Sequence, residues 1–122
     1  MEARKRVLVT GLAGKIGGII RQNLSQKYLI SGLDLQKVNK YDTTVANLSD
    51  LKGIMPAFQG IHTVVHLAAD PNHQGGWETI LENNIVGTRN VYEASRIAGV
   101  KRIIFASSNH ALGFYPLKDN PY

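Results

Sequence analysis

Val7-Leu8-Val9-Thr10-Gly11-Leu12-Ala13-Gly14-Lys15-Ile16-Gly17-Gly18 is the stretch on which the reading of this chain turns. A short β-branched apolar run breaks into glycines spaced G-x-x-G-x-x-G, and a helical pattern follows. A strand needs this if it must turn sharply and present bare backbone N–H groups to a diphosphate at a helix N-terminus. Gly11 supplies a turn conformation closed to other residues, and Gly14 lets a phosphate approach without striking a Cβ. Gly17 lets the new helix pack close to the strand. An ordinary glycine-rich strand–helix turn has the same flanks, so a second signal is needed. Asp34 provides it, closing a second apolar run, Tyr28-Leu29-Ile30-Ser31-Gly32-Leu33-Asp34, about twenty residues further on. A carboxylate there accepts hydrogen bonds from adenosine ribose hydroxyls and repels a 2′-phosphate. Leu35, Gln36 and Lys37 follow it with no arginine, which favours NAD over NADP; Lys15 and Lys37 keep NADP as the lesser alternative.

A length of 122 residues supports one domain, and 43% apolar with 19% charged residues is ordinary for a globular core. The sequence has no cysteine, which excludes disulfides and thiolate chemistry. Arg4-Lys5-Arg6 is followed only by Val7-Leu8-Val9 before polar residues. That is too short for a secretory signal core, and no run approaches membrane-spanning length, so a cytoplasmic address is expected. The formal charge is +5, but the 14 basic residues are dispersed. The clusters Arg4-Lys5-Arg6 and Lys101-Arg102 precede expected strands, without the aromatic interleaving of a nucleic-acid surface. Neither nucleic acid nor membrane is expected as a partner.

The alternation of strand and helix predicts an α/β fold with a parallel sheet. Strands are expected at 6–10, 29–34, 43–46, 63–69 and 102–107. A first helix is expected over 15–26, with Ile16, Ile19, Ile20 and Leu24 on its buried stripe. Ser49 or Asp50 caps a short helix carrying Leu51, Ile54 and Met55, disturbed by Pro56. A long helix spans 77–98, with Leu81, Asn84, Ile85, Thr88, Val91, Tyr92 and Ser95 at helical spacing and Gly99 as its C-cap. The expected class is a Rossmann-type doubly wound sheet of about five strands with helices on both faces. Right-handed crossovers then put Gly11–Gly17, Asp34, Asn47-Leu48 and Leu67–Ala69 together at the strand carboxyl ends, where the winding reverses.

These residues resemble the extended short-chain dehydrogenase/reductase family, which includes NAD-dependent epimerases and dehydratases. The likeness rests on Thr10-Gly11-x-x-Gly14-x-x-Gly17, Asp34, His66-Leu67-Ala68-Ala69, Asn84-Ile85-Val86-Gly87-Thr88-x-Asn90-Val91 and Phe105-Ala106-Ser107-Ser108. Phe105-Ala106-Ser107-Ser108-Asn109-His110 is similar to the subgroup of uronate dehydrogenases, which oxidise sugar acids with NAD. The resemblance implies that Ser108 hydrogen-bonds the reacting oxygen and that Asn109 and His110 contact substrate. It also implies that Asn47-Leu48 lies beside the adenine and that Leu67, Ala68 and Ala69 line the nicotinamide side. Asn84 is the inward-facing asparagine of the long helix. Lys15 and Ile16 at the helix head, Leu35 after Asp34, and Ser107 complete the cofactor set.

Two departures from the family pattern stand out. Asp70-Pro71-Asn72-His73 occupies the place of a substrate serine, which opens the site to another polyol or sugar acid. The family base is the tyrosine of a Tyr-x-x-x-Lys pair, whose lysine lowers the hydroxyl pKa from about 10. No such pair occurs here: Tyr115 and Lys118 are one residue too close with Pro116 between them, and Tyr122 is terminal. The expectation is therefore the amino-terminal cofactor half of a longer enzyme, lacking the carboxy-terminal part of the family fold. Alone it should bind NAD rather than catalyse. The parent is expected to act on a sugar-like small molecule and to form a homodimer through the long helix.

His62, His66, His73 and His110 show no metal-ligand spacing, and no metal is expected. His66, inside an apolar strand, reads as a satisfied core histidine. Ser108 with His110 lacks both an acid partner and a nucleophile elbow, which argues against a hydrolase. Trp77 and Tyr92 read as helix-face packing. The leading function is NAD-dependent oxidation of a sugar or sugar acid. The alternatives are sugar-nucleotide epimerisation or dehydration with NAD recycled, and a non-catalytic NAD(H)-binding module.

Overall fold

The central strand β1 (Arg6–Thr10) is apolar on both faces, and in the computed structural model, which describes residues 2–72 and 76–108, it lies mid-sheet. Val7 and Val9 point to one face and Leu8 to the other, as the two-residue period of a strand requires. The partners of β1 are β2 (Leu29–Asp34) and β4 (Thr63–His66); β3 (Asp42–Val45) and β5 (Arg102–Phe105) form the edges. The order is β3-β2-β1-β4-β5 with every pairing parallel, which is the doubly wound arrangement.

Helix α1 (Lys15–Leu24) returns the chain from β1 to β2 and covers Val7, Val9, Leu12 and Val38. The opposite face is covered by α2 (Leu51–Ile54), a 3-10 turn (Met55–Phe58) and α4 (Gly87–Ala98). There Leu8, Leu33, Ile54, Phe58, Val64, Val91 and Ala94 form the larger core, all fully buried. Asp50, rather than Ser49, caps α2, its carboxylate accepting from Gly53 N at 3.1 Å. Pro56 sits in the first positions of the 3-10 turn, where its missing N–H costs nothing. Gly99 closes α4 in the left-handed conformation at φ 74°, as its sequence position predicts.

Several expected boundaries shift. Helix α1 stops at Leu24 rather than Gln26, because Lys27 and Tyr28 both donate to the Leu24 carbonyl and turn the chain into β2. Strand β3 begins one residue early, at Asp42. Strand β4 ends at His66 rather than Ala69: Leu67 N is shared between Thr10 O at 3.2 Å and the Thr10 hydroxyl, and Ala68 N goes to the hydroxyl alone. Strand β5 ends at Phe105, with Ala106 N still donating to His66 O.

The stripe expected on α1 is also corrected. Ile16 and Ile19 are 57% and 59% exposed and Leu24 is exposed as well, while Ile20, half-buried, packs against the Val7, Val9, Leu12 and Val38 cluster as expected. The buried contact is Gly17, where an added Cβ would sit 2.5 Å from the carbonyl oxygens of both Gly11 and Leu12. That close approach sets the rotation of the helix, and the isoleucines follow. The 77–98 helical span is continuous but not uniform. Short α3 (Trp77–Ile80) and α4 are joined by a π turn at Leu81–Val86. Of the residues recurring at helical spacing, Ile85 and Tyr92 are exposed; Tyr92 meets the Phe105 ring edge-on, whereas Trp77, read as helix-face packing, is 62% exposed.

Candidate functional site

The carboxyl ends of β1, β2, β3 and β4 open onto a cleft of about 470 Å³. Its walls are Gly11, Ala13 and Gly14 from the glycine turn; Leu33 and Asp34 at the end of β2 with Leu35 and Gln36 after it; Ala46, Asn47 and Leu48 after β3; and Leu67–Asp70 after β4. Asn83 closes it from the π turn. This is the crevice that the reversal of strand order creates in a doubly wound sheet.

The glycine turn is built from backbone. Gly11 takes φ 75° and donates to Leu33 O at 2.9 Å, and Gly14 N donates back to Gly11 O at 3.0 Å. An added Cβ on Gly11 would meet the Ala68 backbone at 3.1 Å, so this position excludes larger residues by space as well as by conformation. Gly14 occupies the N-cap of α1 in an extended conformation and brings no capping side chain. The positive end of the helix dipole therefore faces the cleft mouth with no side chain capping it.

The Asp34 carboxylate ties two walls together. One oxygen accepts from Ala13 N at 2.9 Å and the other from Gln36 N at 3.1 Å. Each oxygen retains acceptor capacity for a further donor in the cleft. Asn47 turns its side-chain oxygen back onto Ser49, accepting from N and from Oγ at 3.0 Å each. Leu48 is buried against Gly87, and its carbonyl accepts from Asn90 Nδ2 at 2.7 Å. Leu67 and Ala68 donate their amides to Thr10 Oγ1 at 3.1 Å each, which bends the chain away from the sheet and forms the cleft floor.

Of the sequence-derived set, Gly11, Gly14, Asp34, Leu35, Asn47, Leu48, Leu67, Ala68 and Ala69 line the cleft. Lys15 and Ile16 are exposed at the head of α1, and Gly17 is buried beneath them. Asn84 does not line the cleft. It clamps the loop after β4, with Oδ1 accepting from Asp70 N at 2.7 Å and Nδ2 donating to Asp70 O at 3.1 Å. Ser107 and Ser108 follow β5 as exposed residues outside the cleft lining. Asn109 and His110 lie outside the described residues.

The sequence reading missed Ala13, Leu33, Gln36, Ala46, Asp70 and Asn83. Most sit one residue from a recognised position and were legible as neighbours. Asn83 was not legible, because regular helical spacing favours Asn84 and gives no hint of a π turn.

His66 is buried at the end of β4, held by Thr10 Oγ1 at 2.6 Å and Thr88 Oγ1 at 3.0 Å, and its ring stacks on Phe105. Burial lowers its pKa from 6.5 to about 4. The unfolded chain thus takes up this proton near pH 6.5 and the native chain only near pH 4. Stability is full above the upper value and falls as the pH drops towards the lower one, by at most about 3 kcal/mol. Urea denaturation at a series of pH values should show this slope, and His66→Asn should remove it.

Among the described residues no group of three or more metal-ligating side chains converges, and no helix is long and apolar enough to cross a membrane.

Residues 7–120 match the model of the NAD dependent epimerase/dehydratase family. The chain belongs to that family. Among curated members it is 36% identical over 114 residues to L-arabinose 1-dehydrogenase (NAD(P)(+)) of Haloferax volcanii, covering 93% of this chain and 45% of that protein. It is 38% identical over 117 residues to uronate dehydrogenase of Agrobacterium fabrum, covering 92% of this chain and 44% of that one. Among solved family structures, a mutant uronate dehydrogenase from Agrobacterium tumefaciens complexed with NAD superposes with a TM-score of 0.84 at 36% identity, covering 93% and 44% of the two chains. The chain spans less than half the length of these relatives.

Proposed function

We propose that this chain forms the cofactor-holding half of an NAD-dependent dehydrogenase acting on a sugar or sugar acid. The observation that carries the reading is the pairing, across one cleft, of an uncapped helix N-terminus with the Asp34 carboxylate. A dinucleotide needs both features: the first neutralises a diphosphate, and the second accepts from ribose hydroxyls. The cradle fits the group, since Cβ atoms on Gly11 and Gly14 would crowd Ala68 and the Gly11 carbonyl, and glycine leaves that space clear.

In this reading Gly11, Gly14 and Gly17 shape the diphosphate turn, and the amides of Lys15 and Ile16 face the phosphates. Asp34 and Leu35 hold the adenosine ribose, Asn47 and Leu48 flank the adenine, and Leu67, Ala68 and Ala69 form the nicotinamide-side wall. Asn84 holds the loop at Asp70, and Ser107 borders the cofactor. NAD bound there supplies a hydride acceptor for the substrate carbon. Ser108 orients and polarises the reacting oxygen, with Asn109 and His110 on the substrate. Relatives named as uronate, L-arabinose and glucose-6-phosphate dehydrogenases support the sugar-like substrate class.

The test is calorimetric titration with NAD and NADP on the 122-residue chain and on Asp34→Ala. Saturable NAD binding, stronger than NADP binding, is expected. Removing a carboxylate that bonds two hydroxyls should weaken NAD roughly 10- to 100-fold, with a smaller change for NADP. A chain folded by circular dichroism that ignores NAD, or an Asp34→Ala variant that binds NAD as well as the parent sequence, overturns the reading.

A further inference from the structure

The Thr10 hydroxyl has three neighbours at hydrogen-bonding distance: Leu67 N and Ala68 N at 3.1 Å each, and His66 Nδ1 at 2.6 Å. A hydroxyl has one hydrogen and two lone pairs. Both amides are donors, so they take the two lone pairs, and the single hydrogen is left for His66. His66 Nδ1 therefore accepts and carries no proton. In the neutral ring the proton is then on Nε2, which donates to Thr88 Oγ1 at 3.0 Å. The opposite tautomer would aim two hydrogens at each other across 2.6 Å.

Thr10 ends β1, Leu67 and Ala68 are cleft wall, and Thr88 belongs to α4. One imidazole thus links the strand that carries the glycine turn, the wall after β4 and the helix behind it. We propose that His66, as its Nε2–H tautomer, is a positioning residue for the cleft. It holds the Thr10 hydroxyl rotated so that its lone pairs fix the Leu67 and Ala68 amides. The inference rests on the cofactor reading of that cleft, and it assigns His66 no contact with cofactor or substrate.

The groups facing the ring are Thr10 from β1, Thr88 from α4 and the Phe105 ring from β5, none of them charged. Burial alone keeps the imidazole neutral around physiological pH. The tautomer is accordingly a fixed structural feature over that range.

Three measurements test this. Ring nitrogen chemical shifts should show Nδ1 unprotonated and Nε2 protonated, unchanged through neutral pH. Hydrogen exchange at the Ala68 amide should quicken in His66→Phe, which keeps bulk and loses the acceptor; Leu67 N, which also donates to Thr10 O at 3.2 Å, should change less. Exchange at Ala68 should stay slow in His66→Asn, whose carbonyl oxygen can still accept from Thr10. NAD affinity should follow the same pattern, falling about tenfold in His66→Phe, the scale of one buried hydrogen bond, and recovering in His66→Asn. A protonated Nδ1, or an Ala68 amide equally protected in both variants, overturns the proposal. Shifts and exchange are read without nucleotide, so a wild-type chain that fails to bind NAD refutes the cofactor reading separately. Should His66→Phe not fold, the wild-type ring shifts and the exchange of His66→Asn still decide the question.

Discussion

Gly17→Ala is expected to abolish nucleotide binding and to destabilise the fold by about 3 kcal/mol or more, the upper range for overpacking a rigid site. The added methyl would lie 2.5 Å from the carbonyl oxygens of Gly11 and Leu12 and 2.8 Å from the Leu12 carbonyl carbon. These are main-chain atoms of the turn itself, so no side chain can rotate away to relieve the contact. The relief available is to lift α1 off β1, which pulls the uncapped N-terminus out of the cleft and breaks the turn that Gly11 and Gly14 close. Gly18→Ala is the control. Its methyl meets only the end of the Arg21 side chain, at 3.4 Å, and alanine at an interior helix position gains about 1 kcal/mol over glycine. Urea denaturation and NAD titration on the two variants should therefore diverge in sign. Equal tolerance of both would mean that the approach of α1 to β1 is not what sets the site.

Phe58→Ala is expected to cost roughly 3–5 kcal/mol. Phe58 is fully exposure-free in the 3-10 turn, packed with Leu8, Leu33, Ile54 and Val64 on the α4 face of the sheet. Deleting the ring removes its transfer free energy and leaves a cavity bounded by strand side chains that cannot close in. Domains of this size hold only about 5–15 kcal/mol in total, so the variant would be on the edge of folding. Phe58 does not line the cleft, and whatever fraction stays native should bind NAD with unchanged affinity. Denaturation midpoints and nucleotide titration check the two halves of this statement independently. A loss of affinity in the folded fraction would show that the core beneath Leu33 and Leu48 shapes the cleft.

The central strands β1 and β4 were legible in the sequence because parallel strands buried on both faces read as apolar runs, as at Val7–Val9 and Val64-Val65, and the edge strands followed from the strand–helix alternation around them. Asp34 was legible because a carboxylate directly after such a run falls at a strand end whatever the rest of the fold does. Gly11, Gly14 and Gly17 were legible because their spacing answers to local backbone geometry. Each of these signals is contained within a few neighbouring residues.

What the sequence by itself determined, then, is the doubly wound class, the glycine turn, the acidic strand end and the C-cap at Gly99. The tertiary structure alone decided the rest. The rotation of α1, with Ile16 and Ile19 facing out, is set by a 2.5 Å approach between Gly17 and the preceding turn, which hydrophobic periodicity does not encode. The early end of β4 is set by the Thr10 hydroxyl, which takes the Ala68 amide and shares that of Leu67 with the Thr10 carbonyl, more than fifty positions away in sequence. Asn83 reaches the cleft while Asn84 clamps Asp70, because a π turn re-phases the helix there. The tautomer of His66 depends on partners from β1 and α4 that meet only when the sheet assembles. Local patterns fix what each segment becomes, while the pairing of polar groups across the sheet fixes where each segment stops and which way it faces.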